Sequence, residues 1–254
     1  MLLAEPPPTP YDWHFRLGSI PVRVHPLFWV LAVLLGISGE NPDGWRLLIW
    51  VAVVFASVLV HELGHIVAMH FFGERGHIVL YSFGGLAVSD RISAWGRGRT
   101  PFSQIVISLA GPLAGFLLGI ASVAVFLAGG GQLVFETYGL IRSIALPEQV
   151  SRYVGDLVFY LWTVNLLWGA LNLLPIYPLD GGQISRELFQ LWDARQGIIQ
   201  SLWLSLFTAV LLALVAMTQW ETPFLGIFFI YMAVTNYMAI QQLSGRGFGG
   251  GPRW

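Results

Sequence analysis

The chain has 254 residues, of which 56% are hydrophobic and only 11% charged. Soluble domains carry charge on roughly a quarter of their residues, so a water-exposed globule is excluded. The net charge of −1 leaves no basic excess to neutralise phosphates, which argues against a nucleic-acid partner. Cysteine is absent, so a metal here has to be held by His, Asp or Glu.

Met1–Pro10 is acidic and Pro-rich, without the basic start of a signal peptide. Residues 1–25 read as a cytosolic arm in which Phe15–His25 alternates well enough for a short strand. Six apolar stretches follow, at 26–38, 46–72, 104–128, 153–175, 198–218 and 223–243. A helix needs roughly 20 apolar residues to span the hydrocarbon, and the first stretch is short for that. The expectation is an all-α polytopic membrane protein of about six transmembrane helices, residues 26–243, with a Gly-rich flexible tail over 244–254. Gly76–Val88 holds two β-prone runs around Gly84 and Gly85, which predicts a hairpin. With Phe15–His25 it would form a small sheet near the cytosolic face, with a free edge able to take an unwound substrate strand.

Six spans put both termini on one side of the bilayer. That side collects Arg16, Arg23, Arg75, Arg91, Arg97, Arg99, Arg186, Arg195, Arg246 and Arg253, against Arg46, Arg142 and Arg152 opposite. The positive-inside rule makes the Arg-rich side cytosolic. No organelle address is visible, which suggests a prokaryotic cytoplasmic membrane.

The second stretch contains His61-Glu62-Leu63-Gly64-His65, an H-E-x-x-H motif. Two His four residues apart share one helical face and can grip one zinc ion. Glu62, rotated by about 100°, can act as general base on a water. Three ionisable groups in an apolar helix are costly, although a polar helix end would also accept them. A third ligand is needed, and the best candidate is Asp180 in the run from Asn172 to Gly182. Pro175 and Pro178 break the helix there. Asp180 can then face the metal or cap a following helix, Gln183–Trp192. Gly111, Gly115 and Gly119 recur every fourth residue in the third stretch, a stripe that favours close helix packing. His25 and His70 read as interfacial, and Asp156 and Glu136 as solvated.

The order of three motifs resembles the site-2 protease family of intramembrane zinc metalloproteases, peptidase family M50. These are His61–His65, Ser108-Leu-Ala-Gly-Pro-Leu-Ala-Gly115, and Asn172-Leu-Leu-Pro-Ile-Tyr-Pro-Leu-Asp-Gly-Gly182. The resemblance covers residues 55–190 and fits a compact branch with neither a PDZ insert nor a C-terminal regulatory domain. It implies that His61, His65 and Asp180 bind one zinc ion per chain and that Glu62 is the base. Asn172 would hold the scissile carbonyl, with Asn165 a second candidate. The implied activity is cleavage of a transmembrane protein substrate in or near its membrane segment. A zinc transporter and an inactive helix-binding relative are the alternatives.

Overall fold

The computed structural model describes residues 5–37, 43–81, 84–90, 100–132, 134–138, 141–145, 152–219 and 222–247. These fall into two compact units, one of residues 5–97 with 110–170 and one of residues 98–109 with 171–254.

The first unit begins with strands β1 (Trp13–Leu17) and β2 (Ile20–Val24), then helices α1 (Pro26–Ile37) and α2 (Gly44–Phe71). Strands β3 (Arg75–Tyr81) and β4 (Gly84–Asp90) follow. The expected single strand over Phe15–His25 is thus a hairpin, because Gly18 turns the chain at φ +58°. The sheet has the order β1-β2-β3-β4; β2 pairs parallel with β3, and the other pairs are antiparallel. Ile78, Val79 and Leu80 in central β3 are fully buried, while β4 is an edge.

Helix α1 has 12 residues. At 1.5 Å per residue it is about 18 Å long, short of the roughly 30 Å hydrocarbon layer. It lies against α2, where Gly36 makes room for Trp50, whose indole donates to Ala32 O at 2.9 Å. Helix α2, with 28 residues, is long enough to cross. The rest of this unit is most of α3 (Pro101–Ala128), the strand pair β5 (Val134–Tyr138) and β6 (Ile141–Ala145), and α4 (Arg152–Asn172) up to Ala170. The β5–β6 pair was not expected. Arg46 on α2 forms a two-point ion pair with Asp156 on α4, at 2.8 and 3.2 Å, so Asp156 is paired rather than simply solvated. At the other end of the sequence order, Arg23 on β2 is clasped by Glu5 and Asp12, each at 2.8 Å.

The second unit contains α5 (Asp180–Trp192), α6 (Gly197–Thr218) and α7 (Pro223–Gly247). Ala209, Ala213 and Ala216 of α6 pack against Phe229, Met232 and Ala233 of α7, with Ile176 in the same core.

Five described helices are long and apolar enough to cross a membrane: α2, α3, α4, α6 and α7. Helix α1, the expected short first stretch, is apolar but below spanning length by itself, so five of the expected about six helices have full spanning length among the described residues. The chain is a multi-pass membrane protein. Helix α7 runs on to Gly247; the remainder of the expected tail, residues 248–254, lies outside the described residues, as do residues 91–99 with their three arginines.

Candidate active site

The H-E-x-x-H motif sits in the C-terminal half of α2, where His61, Glu62 and His65 are all buried. One helical turn separates the two imidazoles, so they stack along one face. Their Nε2 atoms face each other at 3.1 Å, with ring planes at 78°. Two nitrogens each about 2.0–2.1 Å from a tetrahedral metal ion stand roughly 3.3 Å apart, so the pair suits two corners of such a site.

Space around the pair is kept by glycines. A Cβ on Gly111 of α3 would stand 2.2 Å from His65 Nε2 and 2.8 Å from His61 Nε2. A Cβ on Gly64 would stand 2.4 Å from the backbone oxygen of Ala110, so α2 and α3 meet backbone to backbone. The glycine stripe therefore divides its work. Gly111 faces the histidines, whereas Gly115 and Gly119 face Asn165 on α4. Glu62 has its own close neighbour, since a Cβ on Gly85 of β4 would stand 2.3 Å from Glu62 Cγ. Edge strand β4 thus lies directly on the expected base.

Asn165 is buried and donates to Ser57 Oγ at 2.9 Å and to Leu161 O at 2.8 Å. Ser57 is one turn before His61. Asn165 therefore ties α4 to the histidine helix, and both of its amide hydrogens have partners. This role was missed in the sequence, although the spacing Ser57–His61–His65 on one face is the signal that could have shown it. His25 is also more than interfacial: its Nδ1 accepts from Leu27 N at 3.1 Å and its ring meets Tyr81 edge-on.

In the second unit, α4 ends at Asn172, which is buried. The chain then breaks at Pro175 and Pro178, and α5 starts at Asp180. The capping position is Leu179, which makes no side-chain cap, and Asp180 is already the first helical residue. The alternative of Asp180 as N-cap is therefore not what the fold contains. Gly181 and Gly182 let the broken segment fold onto the first turn of α5, where added Cβ atoms would stand 2.1 Å from Leu173 O and 2.3 Å from Tyr177 N. Each of His61, His65 and Asp180 is buried and offers a ligand atom, an imidazole nitrogen or a carboxylate oxygen, of the kind that holds zinc.

Five membrane-length helices, one of them bearing the buried, paired histidines of an H-E-x-x-H motif, define a multi-pass membrane protein with a candidate metal site. The model of peptidase family M50 matches residues 49–217, and the chain belongs to that family. A zinc metalloprotease of Methanocaldococcus jannaschii is 31% identical over 176 residues, 68% of this chain and 44% of that protein. Stage IV sporulation protein FB of Bacillus subtilis is 27% identical over 172 residues, 67% of this chain and 48% of that one. The chain thus spans less than half the length of these curated relatives. The solved structure of a site-2 protease from Methanocaldococcus jannaschii aligns with a TM-score of 0.54 at 22% identity, covering 91% of this chain and 95% of that one. This likeness shows a shared fold.

Proposed function

We propose that the chain is a zinc-dependent endopeptidase that hydrolyses a peptide bond in or near the membrane segment of a protein substrate. The observation that carries this reading is the His61–His65 pair, 3.1 Å apart on a membrane-length helix, with Gly111 letting α3 pack directly against the imidazoles. The M50 match and the zinc metalloprotease named among the relatives support it.

In this reading His61, His65 and Asp180 hold one zinc ion. Zinc, when bound, polarises the scissile carbonyl and makes water acidic enough to react near neutral pH. Glu62 takes the proton from the attacking water and passes it to the leaving amine. Asn172 donates to the carbonyl oxygen as it gains charge. The substrate must be unwound first, because helical amides are hydrogen-bonded and shielded. Strand β4, an edge among the described residues and lying against Glu62, is the place for a substrate strand to add. Of the expected hairpin over Gly76–Val88, the first run belongs to the internal strand β3, so Gly84–Asp90 is the strand to test. Both termini on the Arg-rich, cytosolic side is proposed with α1 counted as a sixth crossing, and a prokaryotic cytoplasmic membrane is the proposed location.

Metal content per chain tests the reading without a substrate. Wild type is expected to hold about one zinc ion, Asp180→Ala to lose it, and Glu62→Gln to keep it while losing cleavage. Two or more ions per chain, or full retention in Asp180→Ala, would favour the zinc transporter. No bound zinc in wild type would favour an inactive helix-binding relative.

A further inference from the structure

The segment that delivers Asp180 is held by two polar side chains on α6 and α7. Tyr177 N donates to Ser205 Oγ at 3.0 Å, and Tyr177 O accepts from Asn236 Nδ2 at 2.6 Å. Ser205 and Asn236 are both 0% exposed. The Ser205 hydroxyl gives its own proton to Ser201 O at 2.9 Å, which leaves its oxygen to accept from Tyr177. The Asn236 amide also donates to Met232 O at 2.8 Å, while its Oδ1 has no hydrogen-bond partner among the described residues. A fully buried amide that leaves its acceptor unpaired is a costly choice for packing alone. What it supplies there is its N–H groups.

The restraint has a direct path to Asp180. Both backbone polar groups of Tyr177 are engaged, so the break between α4 and α5 is pinned rather than left unsatisfied at membrane depth. Gly182 packs so closely on Tyr177 N that only a glycine fits. Asp180 lies in the same first turn of α5. Fixing Tyr177 from α6 and α7 therefore fixes the turn that carries the carboxylate. Asn236 lies beyond residues 49–217, outside the segment that matches the family model.

We infer that Ser205 and Asn236 are positioning residues for Asp180, holding its carboxylate in place through Tyr177. The inference rests on the reading of Asp180 as a zinc ligand. Groups that orient a metal ligand typically change affinity by roughly 10- to 100-fold when removed.

The test is the rate at which zinc-loaded, purified protein in detergent micelles gives up zinc to excess chelator. Wild type is compared with Ser205→Ala, Ser205→Thr, Asn236→Leu and Asp180→Asn. Ser205→Ala and Asn236→Leu are expected to release zinc at least about 10-fold faster. Ser205→Thr keeps the hydroxyl and should release at the wild-type rate. If Asp180→Asn is fast but Ser205→Ala and Asn236→Leu behave as wild type, the positioning role is wrong and the ligand assignment stands. If Asp180→Asn itself releases at the wild-type rate, the ligand assignment fails and takes this inference with it. Equal acceleration in Ser205→Thr and Ser205→Ala would mean that packing, not the hydroxyl, matters, and would overturn the proposal. Should Asn236→Leu fail to fold, the Ser205 pair decides alone.

Discussion

Gly111 lies directly against the paired imidazoles: a Cβ there would stand 2.2 Å from Nε2 of His65. The neighbour is the far end of a histidine, but that end is the atom a metal needs. Gly111→Ala is therefore expected to abolish zinc binding. Helix propensity favours alanine over glycine by about 1 kcal/mol, which offsets part of the cost of displacing the imidazoles. Gly115→Ala is the control, since its Cβ would stand 3.3 Å from Asn165 Oδ1 and ask for only a small shift. Metal analysis alongside thermal denaturation checks both; full zinc occupancy in Gly111→Ala would show that the space beside the histidines is dispensable.

Gly85 bears on Glu62 in the same way but on a different step. A Cβ there would stand 2.3 Å from Cγ and 2.6 Å from Oε1 of Glu62. Gly85→Ala should displace the carboxylate and cut cleavage by about 10-fold or more, in line with the 10²–10⁴-fold worth of a positioned acid–base group. Zinc should stay. Joint loss of zinc and cleavage would instead mean that the substitution disturbs α2 itself.

The Arg46–Asp156 pair joins the first turn of α2 to the second turn of α4, with side chains 30% and 15% exposed. A double-mutant cycle through Arg46→Gln and Asp156→Asn should return a coupling of about 1 kcal/mol, the upper part of the range for partly exposed pairs with good geometry. Additive losses of thermal stability would show that the two ends of these helices are held by other contacts.

Asp12 offers a pH test away from the spans. Its burial alone would raise the carboxyl pKa, but hydrogen bonds from Thr9 and from the Arg23 guanidinium outweigh that and lower it from 3.8 to about 2. A depressed folded-state value stabilises the fold above pH 3.8 and loses that contribution as pH falls through about 2. The β1–β2 hairpin should thus stay protected from hydrogen exchange at pH 3. In Arg23→Gln the carboxyl moves back toward its ordinary value and protection should already fail there. Equal protection in both proteins at pH 3 would remove Arg23 as the cause.

The parts of this molecule that the sequence made readable are those written in local spacing. His61, Glu62 and His65 declare their shared face by their intervals, and Pro175 and Pro178 declare the break before Asp180. Glycine was harder, because the same residue marks a turn and a close approach. Gly84 and Gly85 read as the middle of a hairpin, yet both lie within β4, against Trp168 and Glu62. Asp156 looked solvated because its partner, Arg46, is far away in the chain. The parallel pairing of β2 with β3 and the tie from Asn236 to Tyr177 are likewise long-range, and no periodicity foretells them. Apolar composition does not by itself tell a short helix lying against a neighbour from one that crosses: the 12 residues of α1 are as apolar as a span.

The parallel register Val22↔Ile78 has a consequence for how the protein is made. Strand β2 leaves the ribosome before α1 and α2, and its partner β3 only after them. The edge of β2 that pairs with β3 therefore stays unpaired until the histidine helix has been made. Its closure onto β3 links the completion of this sheet to correct insertion of the helix that carries His61 and His65.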